Sequence, residues 1–251
     1  MHLWLFGMHN KLHKFAWIDL TDFFFYFFLF FYFFIFWVKK MNELVMSRAR
    51  LPKLAFRGRV IYSRTKDEVE KSAAELLHVI EEKTRQEESV ALGFDTEWKP
   101  SFVKGVSPGK AAVIQICGDM DNCYVFHIFH SGISQSLQLL LENSTPKVGA
   151  GIAYDGGKVF KDHNVRLKGL KDLSALANQK LHGGPRKWGL ASLTEKLLYK
   201  KLAKGNYIRL GDWETTSLSK EQLNYAATDA YTSWQLYHEL KKLPDVDKES
   251  N

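Results

Sequence analysis

The sequence has 251 residues and a formal net charge of +7, room for one α/β domain of about 150–200 residues with its own core, plus a tail. A basic chain suits a polyanionic partner, nucleic acid or an acidic membrane surface. Two cysteines, Cys117 and Cys123, exclude a disulfide framework and do not match zinc spacing; they are expected as buried thiols on neighbouring strands in a reducing compartment.

Residues 23–38 read FFFYFFLFFYFFIFWV, an apolar run slightly shorter than the ~20 residues of a spanning helix. Three readings compete. One is a short membrane anchor; another is a signal-peptide core, which lacks the small-residue cleavage site. The favoured one is a T-rich untranslated stretch read in frame, with Met41 or Met46 as the true start. Residues 1–46 are therefore set apart from the fold. Residues 47–58 form a basic arm carrying Arg48, Arg50, Lys53 and Arg57, either a solvated linker or a backbone-phosphate contact.

A globular domain is expected over 59–243. A strand at 60–62 precedes a helix over 66–85, where Val69, Ala73, Leu76, Leu77 and Ile80 make one apolar stripe. Strands follow at 90–97, 111–117 and 123–129; runs apolar on both faces belong in a sheet covered on both sides. A helix over 133–141 and a strand at 147–150 lead to helices around 155–162, 171–179 and 191–198. Ser219 and Gln222 form a capping box that starts a helix running to about Lys242, and 244–251 is a polar tail. Strands first, then a strand among helices, predict one α/β domain with a mixed sheet flanked by helices.

The informative positions are acids that interrupt apolar patterns. Asp95 and Glu97 lie two apart in a strand, so both face one side. At ~4 Å and an effective dielectric of ~20 they repel by about 4 kcal/mol, which a hard divalent cation would offset. Tyr225 and Asp229 lie four apart on the capped helix, neighbours on a face pointing away from Leu223, Ala227, Ala230, Trp234 and Tyr237. Asp155 follows Gly149, Ala150 and Gly151 and is expected to start a helix, where N-capping competes with a functional role. Trp98 is placed either to stack on a terminal base or to pack at a strand end. Lys99, Lys104, Lys110, Arg186 and Lys187 are candidate phosphate contacts or ordinary solvated cations. His127 and His130 are read as structural, because the expected metals prefer oxygen ligands.

The segments FDTEW at 94–98, GIAYD at 151–155 and YAATD at 225–229 resemble, in content and order, the three motifs of the DEDD exonuclease superfamily, and the tyrosine resembles its DEDDy branch. GKAAVIQIC, WGLASLTEKLL and LNYAATDAYTSWQLY look like the Werner-syndrome-type exonuclease domain in its stand-alone plant form, over roughly 59–243. The resemblance implies a ribonuclease-H-like fold and a 3′→5′ exonuclease that releases nucleoside 5′-monophosphates. It implies that Asp95, Glu97, Asp155 and Asp229 hold two divalent ions, Mg²⁺ or Mn²⁺, and that Tyr225 orients the attacking water. Trp98, Lys110, Arg186 and Lys187 would contact substrate. The expected partner is nucleic acid, DNA in preference to RNA, with a helicase or end-binding repair factor beside it. The nucleus is the expected location, then the cytoplasm, and a membrane if the Phe-rich run is genuine. Tyr154 departs from the pattern, standing where a smaller or acidic residue is expected. Two alternatives remain: a nucleic-acid-binding module that has lost catalysis, against which all four acids and the tyrosine speak, and a membrane-tethered nuclease.

Overall fold

The computed structural model describes residues 51–86, 89–203 and 205–246, together with Phe30, Phe31, Phe34 and Trp37. The chain divides into two units, Met1–Arg50 and Leu51–Asn251. The anchor, signal-peptide and start-site readings of residues 1–46 fall almost wholly outside the described residues, as do 47–50 of the basic arm and 247–251 of the tail. Among the described residues no helix is long and apolar enough to cross a membrane.

In the second unit the chain runs β1 (Lys53–Leu54), β2 (Arg59–Ser63), α1 (Lys66–Arg85), β3 (Leu92–Glu97), β4 (Val113–Cys117), β5 (Asn122–Phe126) and α2 (Ile128–Ser131). It continues through α3 (Gln135–Glu142), β6 (Lys147–Gly149), α4 (Ile152–His163), β7 (Leu170–Asp172), α5 (Leu173–Lys180) and α6 (Leu190–Leu193), which passes into a π-helical turn over Thr194–Leu198. Then come β8 (Lys201–Leu202), α7 (Asn206–Arg209) and the long α8 (Lys220–Lys242).

Six strands form one mixed sheet in the order β2-β5-β4-β3-β6-β7. The β5-β4-β3 meander is antiparallel, while β2 joins β5, β6 joins β3 and β7 joins β6, each in parallel. The strands β1 and β8 pair separately. The period-2 alternation of β3 decides what each face carries. Leu92 and Phe94 point into a core with Ile114, Ile116, Tyr124 and Phe126, covered by Val69, Ala73, Leu76 and Ile80 of α1 and Leu137, Leu140 and Leu141 of α3. On the other face, Val113, Val125, Cys117 and Cys123 pack against Ala226, Ala227 and Ala230 of α8. Cys117 and Cys123 are register partners on β4 and β5, buried and not joined by a disulfide.

The expected mixed sheet flanked by helices is present, and both α1 and α8 begin at capping boxes, Thr65 with Glu68 and Ser219 with Gln222. Several boundaries differ. The strand expected to 129 ends at Phe126, and Ile128–Ser131 turns into a short helix that Gly132 ends at φ +67°. The helix expected from 171 is preceded by an edge strand, since residues 170–172 pair with β6, and Asp172 then caps α5 by accepting from the amides of Ser174 and Ala175. The helix expected around 155 begins at Ile152, after Gly151 has turned the chain at φ +79°.

Candidate active site

The inner strand β3 carries Asp95 and Glu97 on the face that α8 covers. That helix lies unusually close because residue 93 is glycine: a Cβ there would stand 1.9 Å from the Ala230 carbonyl oxygen and 2.7 Å from the Trp234 amide nitrogen. One helical turn of close contact therefore delivers Asp229 to the strand. Ligand oxygens of Asp95, Glu97 and Asp229 lie within 4.8 Å of one another.

Asp155 reaches the site from the opposite face of the sheet. Its helix α4 packs through Ile152 and Val159 into the core that holds Phe94, and its Oδ1 accepts from the hydroxyl of Thr96 at 3.0 Å. This origin explains why Asp155 lines the same pocket but stands outside the 4.8 Å cluster. It does not cap its helix; it is the fourth residue of α4, and Gly151 is the cap.

Burial and mutual repulsion dominate the electrostatics. Burial, then the charges of Asp155 and Asp229, push the Asp95 carboxyl well above its ordinary range. Burial, then Asp95, Asp229 and Asp155, do the same to Glu97, with Arg209 opposing. Burial raises Asp155 and Asp229 to about 6 each. Gln115, across the ladder from Asp95, donates its amide to Asp95 Oδ2 at 3.3 Å, while its buried Oε1 has no partner among the described residues. Two carboxylates no more than 4.8 Å apart repel by at least about 3 kcal/mol at an effective dielectric of ~20. An all-oxygen, anionic, crowded donor set of this kind fits a hard divalent cation.

Tyr225 lies one turn before Asp229 and donates to it; burial and the charges of Asp229, Glu97 and Asp95 push its hydroxyl far up, so it stays protonated. Its ring packs 6.2 Å from that of Trp213. Trp98 lines the pocket directly after Glu97, with its ring 5.7 Å from that of Tyr154 and the Lys158 ammonium 5.5 Å from its centroid. So Asp95, Glu97, Trp98, Asp155, Tyr225 and Asp229 share one concave site of about 540 Å³.

Lys110, Arg186 and Lys187 do not line it. Lys110 is exposed at the far end of the β3–β4 loop. The Arg186 guanidinium lies over the Trp188 ring, 3.3 Å from its centroid, and its backbone is tied to Asn178 at both N and O. Lys99 pairs with Asp212 at 2.9 Å. His127 and His130 are structural, as expected: burial lowers His127 to about 4, its Nε2 donates to the Trp213 carbonyl at 3.0 Å, and its Nδ1 accepts from the Tyr62 hydroxyl at 2.8 Å. His130 Nε2 bonds the Thr215 carbonyl at 2.8 Å.

The sequence reading passed over Arg209 and Asn206, which line the pocket from α7. A four-residue helix carries no periodic signal, and a single arginine before a capped helix has no pattern that marks it.

A mixed sheet in this order, with buried carboxylates at the end of an inner strand and a fourth acid arriving from the opposite face, defines a metal-dependent nuclease of ribonuclease-H-like fold. Residues 66–244 match the family described as 3′-5′ exonuclease. The chain belongs to that 3′-5′ exonuclease family. It is 58% identical over 210 residues to a 3′-5′ exonuclease of Arabidopsis thaliana, covering 82% of this chain and 72% of that protein. It is 35% identical over 198 residues to the mouse bifunctional 3′-5′ exonuclease/ATP-dependent helicase WRN, covering 78% of this chain but 14% of that protein. Trypanosoma brucei RNase D, solved in complex with RNA U12, has the same fold: TM-score 0.60 at 16% identity, over 80% of this chain and 68% of that one.

Proposed function

We propose that residues 59–243 hydrolyse nucleic acid stepwise from its 3′ end and release nucleoside 5′-monophosphates, with Asp95, Glu97, Asp155 and Asp229 holding two divalent ions, Mg²⁺ or Mn²⁺. The observation that carries this reading is the convergence of Asp95, Glu97 and Asp229 oxygens within 4.8 Å on the wall of a pocket that Asp155 and Tyr225 also line. Such ions, when bound, lower the pKa of a coordinated water and offset charge on the phosphoryl oxygens.

The chain's own groups supply position and order. Tyr225, protonated and held by Asp229, offers its hydroxyl to orient the attacking water without having to ionise. Trp98 offers an aromatic face to the terminal base. Attack forms the new P–O bond and breaks the bond to the 3′ oxygen, which leaves as the hydroxyl of the shortened strand.

The likeness to the mouse exonuclease/ATP-dependent helicase supports a helicase as a working partner; DNA in preference to RNA and a place in the nucleus belong to the same proposal, and the likeness to RNase D concerns the fold alone. The test uses the full chain with a 5′-labelled 3′-recessed DNA duplex and, in parallel, a 5′-labelled RNA strand. Expected is a ladder shortening from the 3′ end with Mg²⁺ or Mn²⁺, faster on DNA, and absent with EDTA or in Asp95→Asn. Intact substrates that folded protein still binds would instead make the chain a binding module.

A further inference from the structure

Arg209 is the one cation among the described residues that lines the pocket. It is also well anchored. Its amide donates to the Gly205 carbonyl at 2.7 Å, and its own carbonyl accepts from the indole of the fully buried Trp213 at 3.2 Å. Gly205 in turn leaves no space beside Tyr225, since a Cβ there would stand 3.1 Å from the ring. The backbone of α7 is thus tied to the same tyrosine that faces the acids.

The guanidinium itself is uncommitted. Among the described residues it makes no ion pair and no side-chain hydrogen bond, although its charge reaches Glu97 and Asp229 and opposes the rise that burial imposes on both carboxyls. A charge count shows what it lacks. Four carboxylates and one phosphodiester carry five negative charges, and two divalent ions supply four positive ones. Arg209 supplies the fifth. A guanidinium fork also matches a pair of phosphate oxygens in geometry.

We propose that Arg209 is a substrate-contacting residue of this site, its guanidinium binding the non-bridging oxygens of the 3′-terminal phosphodiester. The proposal rests on the exonuclease reading above. After hydrolysis the same phosphate becomes the 5′-phosphate of the released nucleotide, so product affinity reports the contact without turnover.

The experiment compares full-length wild type, Arg209→Gln and Arg209→Lys. Calorimetry measures binding of Mn²⁺, of a deoxynucleoside 5′-monophosphate in the presence of Mn²⁺, and of the deoxynucleoside without phosphate; steady-state kinetics uses the 3′-recessed duplex. In Arg209→Gln, Mn²⁺ should bind more tightly, because a repelling charge is gone. Monophosphate affinity should fall about tenfold, nucleoside affinity should hold, and kcat/KM should fall about 10²-fold. Arg209→Lys should recover part of the loss.

A merely structural arginine would weaken Mn²⁺ and monophosphate binding together, and that outcome overturns the proposal. Unchanged monophosphate affinity overturns it as well. Wild type that binds monophosphate but shortens no strand would sink the exonuclease reading alone, and the monophosphate comparison would still decide the role of Arg209.

Discussion

Asp229→Asn should make the metal-free protein more stable while abolishing its response to metal. The carboxyl of Asp229 is raised from 3.8 to about 6, mainly by burial, with Tyr225 and Arg209 opposing. A folded-state pKa above the unfolded one means that the native state holds its proton to higher pH, so ionisation penalises the native state. The penalty is absent below about pH 4, grows between 4 and 6, and is complete above 6. About two units at 1.36 kcal/mol each amount to about 3 kcal/mol, or a rise in Tm of roughly 6–12 °C for a domain of this size. Asparagine keeps the volume and still accepts from the Tyr225 hydroxyl. The assay is urea unfolding of full-length wild type and variant in EDTA from pH 4 to 8. The stability gap should be near zero at pH 4 and about 3 kcal/mol at pH 8. Adding Mn²⁺ at pH 8 should stabilise wild type by mass action and the variant far less. A variant less stable than wild type at pH 8 in EDTA, or a gap independent of pH, would refute the reasoning.

Gly93→Ala should destabilise the fold by about 3 kcal/mol or more, because its Cβ would sit 1.9 Å from the Ala230 carbonyl and force α8 away. Urea unfolding gives the loss, and nuclease activity should fall beyond it because Asp229 rides on α8. Trp98→Ala should raise KM about fivefold to tenfold by removing one base stack while changing kcat by less than about twofold; a fall confined to kcat would place the indole at the chemistry instead. His127, lowered by burial from 6.5 to about 4, contributes stability that is present above pH 6.5 and lost as the pH falls toward 4. Its ring resonances should show the neutral Nε2–H form throughout pH 5–8, and an inflection near 6.5 would contradict the buried hydrogen-bonded arrangement.

How much was legible differs from residue to residue. Asp95 and Glu97 share a face because strands alternate, and Tyr225 and Asp229 share one because helices repeat every 3.6 residues. Both facts are local, and both hold in the structure. The capping box at Ser219 likewise stands within four residues of the amides it satisfies. Edge strand β7 escaped notice because three residues carry too little alternation to be told from a helix start. Arg186 and Lys187 looked suited to phosphate for their charge alone, and charge says nothing about which wall a side chain joins.

The sequence by itself determined which atoms could do chemistry: oxygen donors in pairs, a tyrosine one turn from an acid, and a helix whose start is capped. Tertiary structure decided which of them meet. The β5-β4-β3 meander and the parallel entry of β6 set β3 inside the sheet. A missing Cβ at Gly93 lets α8 bring Asp229 across a gap of more than 130 residues in sequence. The opposite face of the sheet supplies Asp155 through Thr96, and a four-residue helix held by Trp213 supplies Arg209. Local periodicity reports only neighbours along the backbone. Convergence depends on strand order and on how closely two backbones approach, and those follow from packing the whole core.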